Sequence, residues 1–205
     1  MSSSSDTEHW DAVYGVKAED ELSWFEASPE RSLDLIARSG VDKAAPVIDV
    51  GGGVSRLAEH LLAAGYSDVS VLDISGEAIR QLLARQAPDS PLQGIDADVT
   101  TWRPDRRYRL WHDRAVLHFL IADEAREAYR RTLLAALAPG GQAIIATFAP
   151  TGPERCSGLP VRRYGASELA AFLGADFKPV ESLMFDHVTP WGAVQHFHVG
   201  RFRRN

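Results

Sequence analysis

Val47-Ile48-Asp49-Val50-Gly51-Gly52-Gly53-Val54-Ser55 is the stretch that decides how this chain is read. Four residues of strand character run into three glycines. A helical pattern follows over 55–64, with Leu57, Leu61 and Leu62 apolar and Gly65 closing it. A strand, a glycine turn and a helix N-terminus together let a ligand approach backbone rather than side chains. The next apolar run, 69–73, ends in an acid, Asp73, about 20 residues beyond the turn.

Outward from this unit, strand and helix patterns keep alternating. A helix is expected over 29–38, introduced by Ser28-Pro29, and another over 77–85, ended by Pro88. Strands are expected at 92–97 and 108–112. A helix over 123–137 is stopped by Pro139-Gly140-Gly141, a clear strand follows at 143–148, and a short helix at 167–173. The order implies a mostly parallel sheet with helices on both faces. The last two strands, 180–186 and 195–203, are separated by about eight residues around Pro190-Trp191-Gly192. That is too few for a helical crossover, so they form an antiparallel hairpin. The whole of 1–205 reads as one domain without internal repeats. Residues 1–8 form a disordered tail, 9–39 an aromatic-rich segment and helix, 45–150 the strand–helix core, and 150–205 a loop and hairpin.

Composition is that of a globular protein, with 45% hydrophobic and 24% charged residues in 205. No apolar run approaches the roughly 18 residues of a membrane span. Met1-Ser2-Ser3-Ser4-Ser5-Asp6 has neither the basic start nor the apolar centre of a signal peptide. The single cysteine, Cys156, excludes an internal disulfide and fits a reducing cytoplasm. A formal charge of −6 disfavours broad nucleic-acid binding, and the basic residues of Arg201-Phe202-Arg203-Arg204 read as a solvated chain end.

The polar residues of interest fall at the carboxyl ends of the strands, where open parallel sheets bind ligands. Gly51 and Gly53 allow close backbone approach. Asp73 has the chemistry to accept hydrogen bonds from a ribose diol. In Asp96-Ala97-Asp98-Val99 an aspartate can accept from a purine amine, and Trp111-His112-Asp113-Arg114 ends the fourth strand. Gly-x-Gly followed by Val54-Ser55-Arg56 lacks the third small residue of dinucleotide folds, and no Gly-Lys-Ser/Thr follows. Asp49 before the turn would repel a pyrophosphate but attract an ammonium. A ligand with a cationic amino-acid end, a ribose and an adenine fits, which describes S-adenosylmethionine.

Asp49-Val50-Gly51-Gly52-Gly53, Asp73, Asp98-Val99 and Leu137-Ala138-Pro139-Gly140-Gly141 resemble, in order and spacing, the motifs of class I S-adenosylmethionine-dependent methyltransferases. The resemblance covers 45–150. It implies a Rossmann-like seven-stranded sheet whose last strand inserts inside it. It also implies that Asp49, Gly51 and Gly53 lie against the methionine part, Asp73 with Ile74 at the ribose, and Asp98 with Val99 at the adenine. His9-Trp10-Asp11-Ala12-Val13-Tyr14 and Ser23-Trp24-Phe25 are similar to the opening of the elongation-factor lysine methyltransferase subgroup and its bacterial relatives. That likeness implies an N-terminal lid in which Trp10, Tyr14 and Trp24 contact the cofactor, with Arg114 reaching it from the fourth strand. Aromatic faces attract a sulfonium. The alternative for these aromatics is simple packing of a helix on the sheet.

The fourth strand, His112-Asp113-Arg114-Ala115-Val116-Leu117-His118, departs from the lysine enzymes. It also lacks the Asn/Asp-Pro-Pro-Tyr/Phe arrangement used on planar amide or adenine nitrogens. The fourth strand, the loop 150–164 and the N-terminal segment are expected to shape the acceptor pocket. His112 is the candidate base, with a cofactor-contacting or structural role as its alternative, and Asp113 would orient it or bind an amine. His118 is expected to be packed or solvent-facing, and Cys156 either buried or pocket-lining. His187, His196 and His198 are too weak a motif to assign a metal. The expected function is methyl transfer to a small-molecule O, N or S atom, leaving S-adenosylhomocysteine. Protein-lysine methylation is the alternative, and a non-catalytic cofactor-binding protein is the third reading.

Overall fold

The computed structural model describes residues 3–205. A seven-stranded sheet runs in the order β3-β2-β1-β4-β5-β9-β8. Its strands are β1 (Val47–Val50), β2 (Val69–Asp73), β3 (Gln93–Asp96), β4 (Tyr108–Arg114), β5 (Leu137–Phe148), β8 (Phe177–Val188) and β9 (Val194–Arg204). A two-stranded ribbon, β6 (Arg155–Cys156) with β7 (Leu159–Pro160), lies in the loop after β5. Strands β1 to β5 pair in parallel, while β9 runs antiparallel between β5 and β8. The last strand is therefore inserted inside the sheet, as the resemblance implied.

The helices are α1 (Ser3–Val16), α2 (Glu30–Ser39), α3 (Leu57–Ala63), α4 (Gly76–Ala84), α5 (Asp123–Ala136) and α6 (Ala166–Leu173). Leu35 and Ile36 of α2, Leu57 and Leu61 of α3, and Ile79 and Leu82 of α4 bury one face of the sheet. On the other face, α5 buries Tyr129, Leu133 and Ala136 at helical spacing, and α6 buries Leu169 and Leu173. All four residues of β1 are buried because helices cover both sides of it, so the strand shows no alternation. Among the described residues, no helix is long and apolar enough to cross a membrane.

Two expectations are corrected. Residues 3–8, read as disordered tail, are the first turns of α1, and residues 1–2 lie outside the described residues. Trp10, Val13 and Tyr14 share one side of α1 and pack with Val54 and Ala78, so the docked second half carries the polar first half as helix. The expected break at Pro139-Gly140-Gly141, ahead of a strand at 143, is absent. The strand instead starts at Leu137, paired with Tyr108, loses register, and resumes at Gln142 opposite Leu110. The Pro-Gly-Gly stretch is thus an irregularity inside β5, with Gly140 at φ +73°.

Candidate active site

The glycine turn carries the chain from β1 to α3 across a carboxylate. Gly51 has φ +66°, and a Cβ there would overlap Val116 Cγ2; Gly53 has φ +51°, and a Cβ there would overlap the Tyr14 hydroxyl. At Gly52 a Cβ would stand 2.6 Å from Asp49 Oδ2. All three positions therefore exclude a side chain, two by conformation and all by space. Asp73, at the end of β2, is buried and accepts from Ser75 N at 2.9 Å and from the Gly53 backbone. Burial pushes its carboxyl up to about 7, and the nearby Asp49 and Asp96 charges add to that. Asp98 Oδ1 is held in a turn by Thr100 N and Thr100 Oγ1, both at 2.7 Å. Val99 is buried beneath it and Ile74 is half-buried after Asp73.

Helix α1 and residues 22–26 cover this turn. Asp11 Oδ1 accepts from Ser75 Oγ at 2.6 Å and from Glu77 N at 3.3 Å, placing a carboxylate at the N-terminus of α4. Gln81 Nε2 donates to Tyr14 O at 3.0 Å. The rings of Trp10 and Trp24 lie 5.8 Å apart, Tyr14 and Trp24 6.2 Å, and Trp10 and Phe119 5.1 Å. Burial, with the Asp73 and Asp49 charges behind it, pushes the Tyr14 phenol well above its ordinary value, so it stays a neutral donor.

The chain leaves β4 through a strained corner. Ala115 has φ +76°, uncommon without glycine. Asp113 enforces it by accepting from Val116 N at 2.8 Å, Leu117 N at 3.2 Å and Tyr129 Oη at 2.6 Å. The corner sends a short 3₁₀ turn (Leu117–Phe119) over the sheet end, carrying Phe119 to Trp10 and His118 to Phe148, whose ring centroid is 4.8 Å away. His118 is fully buried, and its Nε2 has no hydrogen-bond partner. Burial pulls it down to about 3, so the ring is neutral.

A network of charges holds residues 23–26 from beneath. Arg114 Nη2 donates to Trp24 O at 2.9 Å and Nη1 lies 3.2 Å from Glu26. His187 Nε2 donates to Ser23 O at 2.7 Å, with Nδ1 3.3 Å from Glu26. Burial lowers Arg114, and burial alone would raise Glu26; the His187 hydrogen bond and the Arg114 charge outweigh it, so Glu26 ends below its ordinary range. Cys156 is buried beside Ser23, and burial raises its thiol, which leaves it protonated and unreactive.

Residues 47–141 match the family model of a methyltransferase domain. A curated relative from Drosophila pseudoobscura pseudoobscura, an eEF1A lysine and N-terminal methyltransferase homolog, is 27% identical over 150 residues, covering 66% of this chain and 21% of its own length. The Bos taurus eEF1A lysine and N-terminal methyltransferase is 25% identical over 126 residues, 60% of this chain and 18% of that protein. The chain thus spans about a fifth of the curated relatives it matches. A solved structure on the conversion of a disulfide bond into a thioacetal group during echinomycin biosynthesis aligns with a TM-score of 0.77 at 25% identity, covering 97% of this chain and 93% of that one. The Burkholderia thailandensis 1,6-didemethyltoxoflavin-N1-methyltransferase, with bound 1,6-didemethyltoxoflavin and S-adenosylhomocysteine, aligns at 0.69 and 23% identity, covering 98% and 85%.

Residues 47–141 thus resemble the methyltransferase domain family, and the fold is that of the S-adenosylmethionine-dependent methyltransferase structures it aligns with. S-adenosylmethionine is the family's cofactor, and the site's chemistry suits it. The glycine turn is a cradle that any Cβ would fill. Asp73 is a buried carboxyl with two backbone donors, and hydroxyl donors would stabilise its charged form. Trp10, Tyr14, Trp24, Asp49, Gly51, Gly53 and Asp73 come together around the turn, with Ile74, Asp98 and Val99 along the β2 and β3 ends.

Arg114, expected to reach the cofactor, donates to Trp24 O and pairs with Glu26. His112 and Asp113, expected as base and partner, are both engaged: His112 bonds Asp49 and Ser32, and Asp113 bonds the β4 corner. They also project to opposite faces of β4, so Asp113 does not orient His112. His196 and His198 share a strand face, but His187 lies with Ser23 and Glu26. Among the described residues no group of three ligating side chains is placed for a metal. Sequence reasoning missed the contacts of Asp11, Glu26 and Ser32, and weighed His187 only for a metal. The first two sit inside or next to the quoted aromatic motifs; Ser32 and His187 carry no local signal.

Proposed function

We propose that this methyltransferase acts on a nucleophilic O, N or S atom of a small molecule and releases S-adenosylhomocysteine. The observation that carries the reading is the aromatic cover. Tyr14 rests on Gly53, and Trp10 spans from Trp24 to Phe119, so the donor and acceptor halves meet under one closed set of rings. When bound, the cofactor supplies a methyl group on an electrophilic sulfonium. The chain's part is then to hold two molecules in line, exclude water and take a proton where the nucleophile has one to lose. Trp10, Tyr14 and Trp24 present faces that favour a cation, and Asp73, Asp98 and Asp49 would take the ribose, the adenine amine and the ammonium. Neither histidine is placed as a base. Burial holds His118 down to about 3, and its Nδ1 accepts from Phe148 N, which leaves Nε2 as the N–H. His112 has both nitrogens engaged, so positioning is the chain's main contribution.

The 150–164 loop carries Arg155, Arg162 and Arg163 against Glu154, a balance that disfavours an incoming ammonium. That supports a neutral or anionic small molecule over the lysine side chain suggested by the curated relatives, while the net charge of −6 disfavours a nucleic acid. A cytoplasmic location belongs to the same reading, supported by the lone thiol Cys156.

Incubation with methyl-labelled cofactor, small thiols, carboxylic acids, amines and cell lysate tests it. Label is expected in the low-mass fraction. Label confined to lysine residues of protein would replace the reading with the protein-lysine one, and no transfer to any acceptor would favour a non-catalytic role.

A further inference from the structure

The carboxylate before the glycine turn is not left to orient itself. Asp49 Oδ1 bonds His112 Nδ1 at 2.6 Å, and His112 Nε2 bonds Ser32 Oγ at 2.9 Å. All three side chains are buried, at 3%, 3% and 5% exposure. They join three separate elements: β1, β4 and the first turn of α2. One proton arrangement that satisfies the whole chain runs from Ser32 to Asp49. The Ser32 hydroxyl donates to Nε2, and Nδ1–H donates to Asp49. The second oxygen, Oδ2, then points at the glycine turn, 2.6 Å from where a Gly52 Cβ would stand.

We propose that His112 is a positioning residue for cofactor binding, and that Ser32–His112–Asp49 fixes one carboxylate oxygen toward the ammonium of S-adenosylmethionine. The idea rests on the methyltransferase reading above. Asp49 sits on β1 between β2 and β4, where a buried carboxylate needs hydrogen-bond donors to offset its lost hydration. Without the His112 bond, Asp49 would lose the donor that fixes Oδ1 and with it the aim of Oδ2 at the ammonium. The small cavity beside Ser32 and His112 is lined by Glu26, Arg31 and Arg114. Arg114 already serves the lid, so it does not replace His112 as a donor to Oδ1.

The test compares two ligands by calorimetry on the full chain. S-adenosylhomocysteine carries the amino-acid end, and 5′-methylthioadenosine lacks it. His112→Leu is expected to weaken the first by about tenfold or more while leaving the second within about twofold, because only the first uses Asp49. His112→Asn keeps an N–H beside Asp49 and is expected to restore most of the loss. Ser32→Ala removes one bond without a large cavity, and is expected to give a smaller loss of the same selectivity. If His112→Leu does not fold, Ser32→Ala decides. Equal losses for both ligands would make the chain merely structural and overturn the proposal, as would no loss for either. A wild-type chain that binds neither ligand would instead overturn the cofactor reading beneath it.

Discussion

The donor half of the site and the acceptor half are built on different physical terms. The donor half is local: a glycine turn whose three positions exclude side chains, and carboxylates at consecutive strand ends. The acceptor half is assembled at long range. Arg114 grips a lid 90 positions earlier, and His187 bonds Ser23 across 164 positions. The difference teaches that most of the proposed donor contacts come from one stretch, 47–98, with His112 and Ser32 steadying Asp49 from outside it, whereas closing over an acceptor needs the whole fold.

Breaking the donor half should cost most. Gly51→Ala adds strain at a positive φ and an overlap with Val116, so an expected loss of about 2–4 kcal/mol of stability should appear in urea unfolding. A loss under 1 kcal/mol would mean the turn yields easily. Breaking the acceptor half should cost less. Glu26→Gln leaves Arg114 and His187 without their carboxylate, at about 1–3 kcal/mol, with faster hydrogen exchange over 9–26 and little change in the core. Uniformly faster exchange would show that the lid is not a separate layer.

Asp73 sharpens the contrast through pH. Its value in the fold, about 7, lies above that of an unfolded aspartate. Its contribution to the cofactor-free fold is therefore fully present below pH ~4 and lost as pH rises through about 7. Ribose hydroxyls favour the charged form, so S-adenosylhomocysteine affinity is expected to rise on the order of tenfold between pH 5.5 and 8, and to flatten in Asp73→Asn. A pH-independent wild-type affinity would contradict that assignment. The smallest expected effect is at the β4 corner. Ala115→Gly relieves a φ of +76° and should stabilise the chain by about 0.5–1 kcal/mol, less if glycine's extra freedom offsets it.

The same split governed what could be read from residues alone. Strands 47–50 and 69–73 were found at their true ends because glycine and aspartate punctuate them. The inserted β9 followed from the family resemblance. The start of β5 was misplaced because Pro139-Gly140-Gly141 signals a break, and only pairing with β4 shows that a strand resumes across it. His112 was legible as special but not in role. A histidine at a strand end titrates in principle, yet Ser32 approaches it from a helix 80 positions away. His118 was expected to be packed or solvent-facing; its burial beneath the 150–164 loop depends on Ala115's turn, which no spacing announces.

Titration calorimetry of S-adenosylhomocysteine into the wild-type chain and Asp73→Ala tests the central claim most directly. The account expects micromolar binding by the wild type, weakened in the variant by roughly 1–3 kcal/mol. No binding by the folded wild type would contradict it.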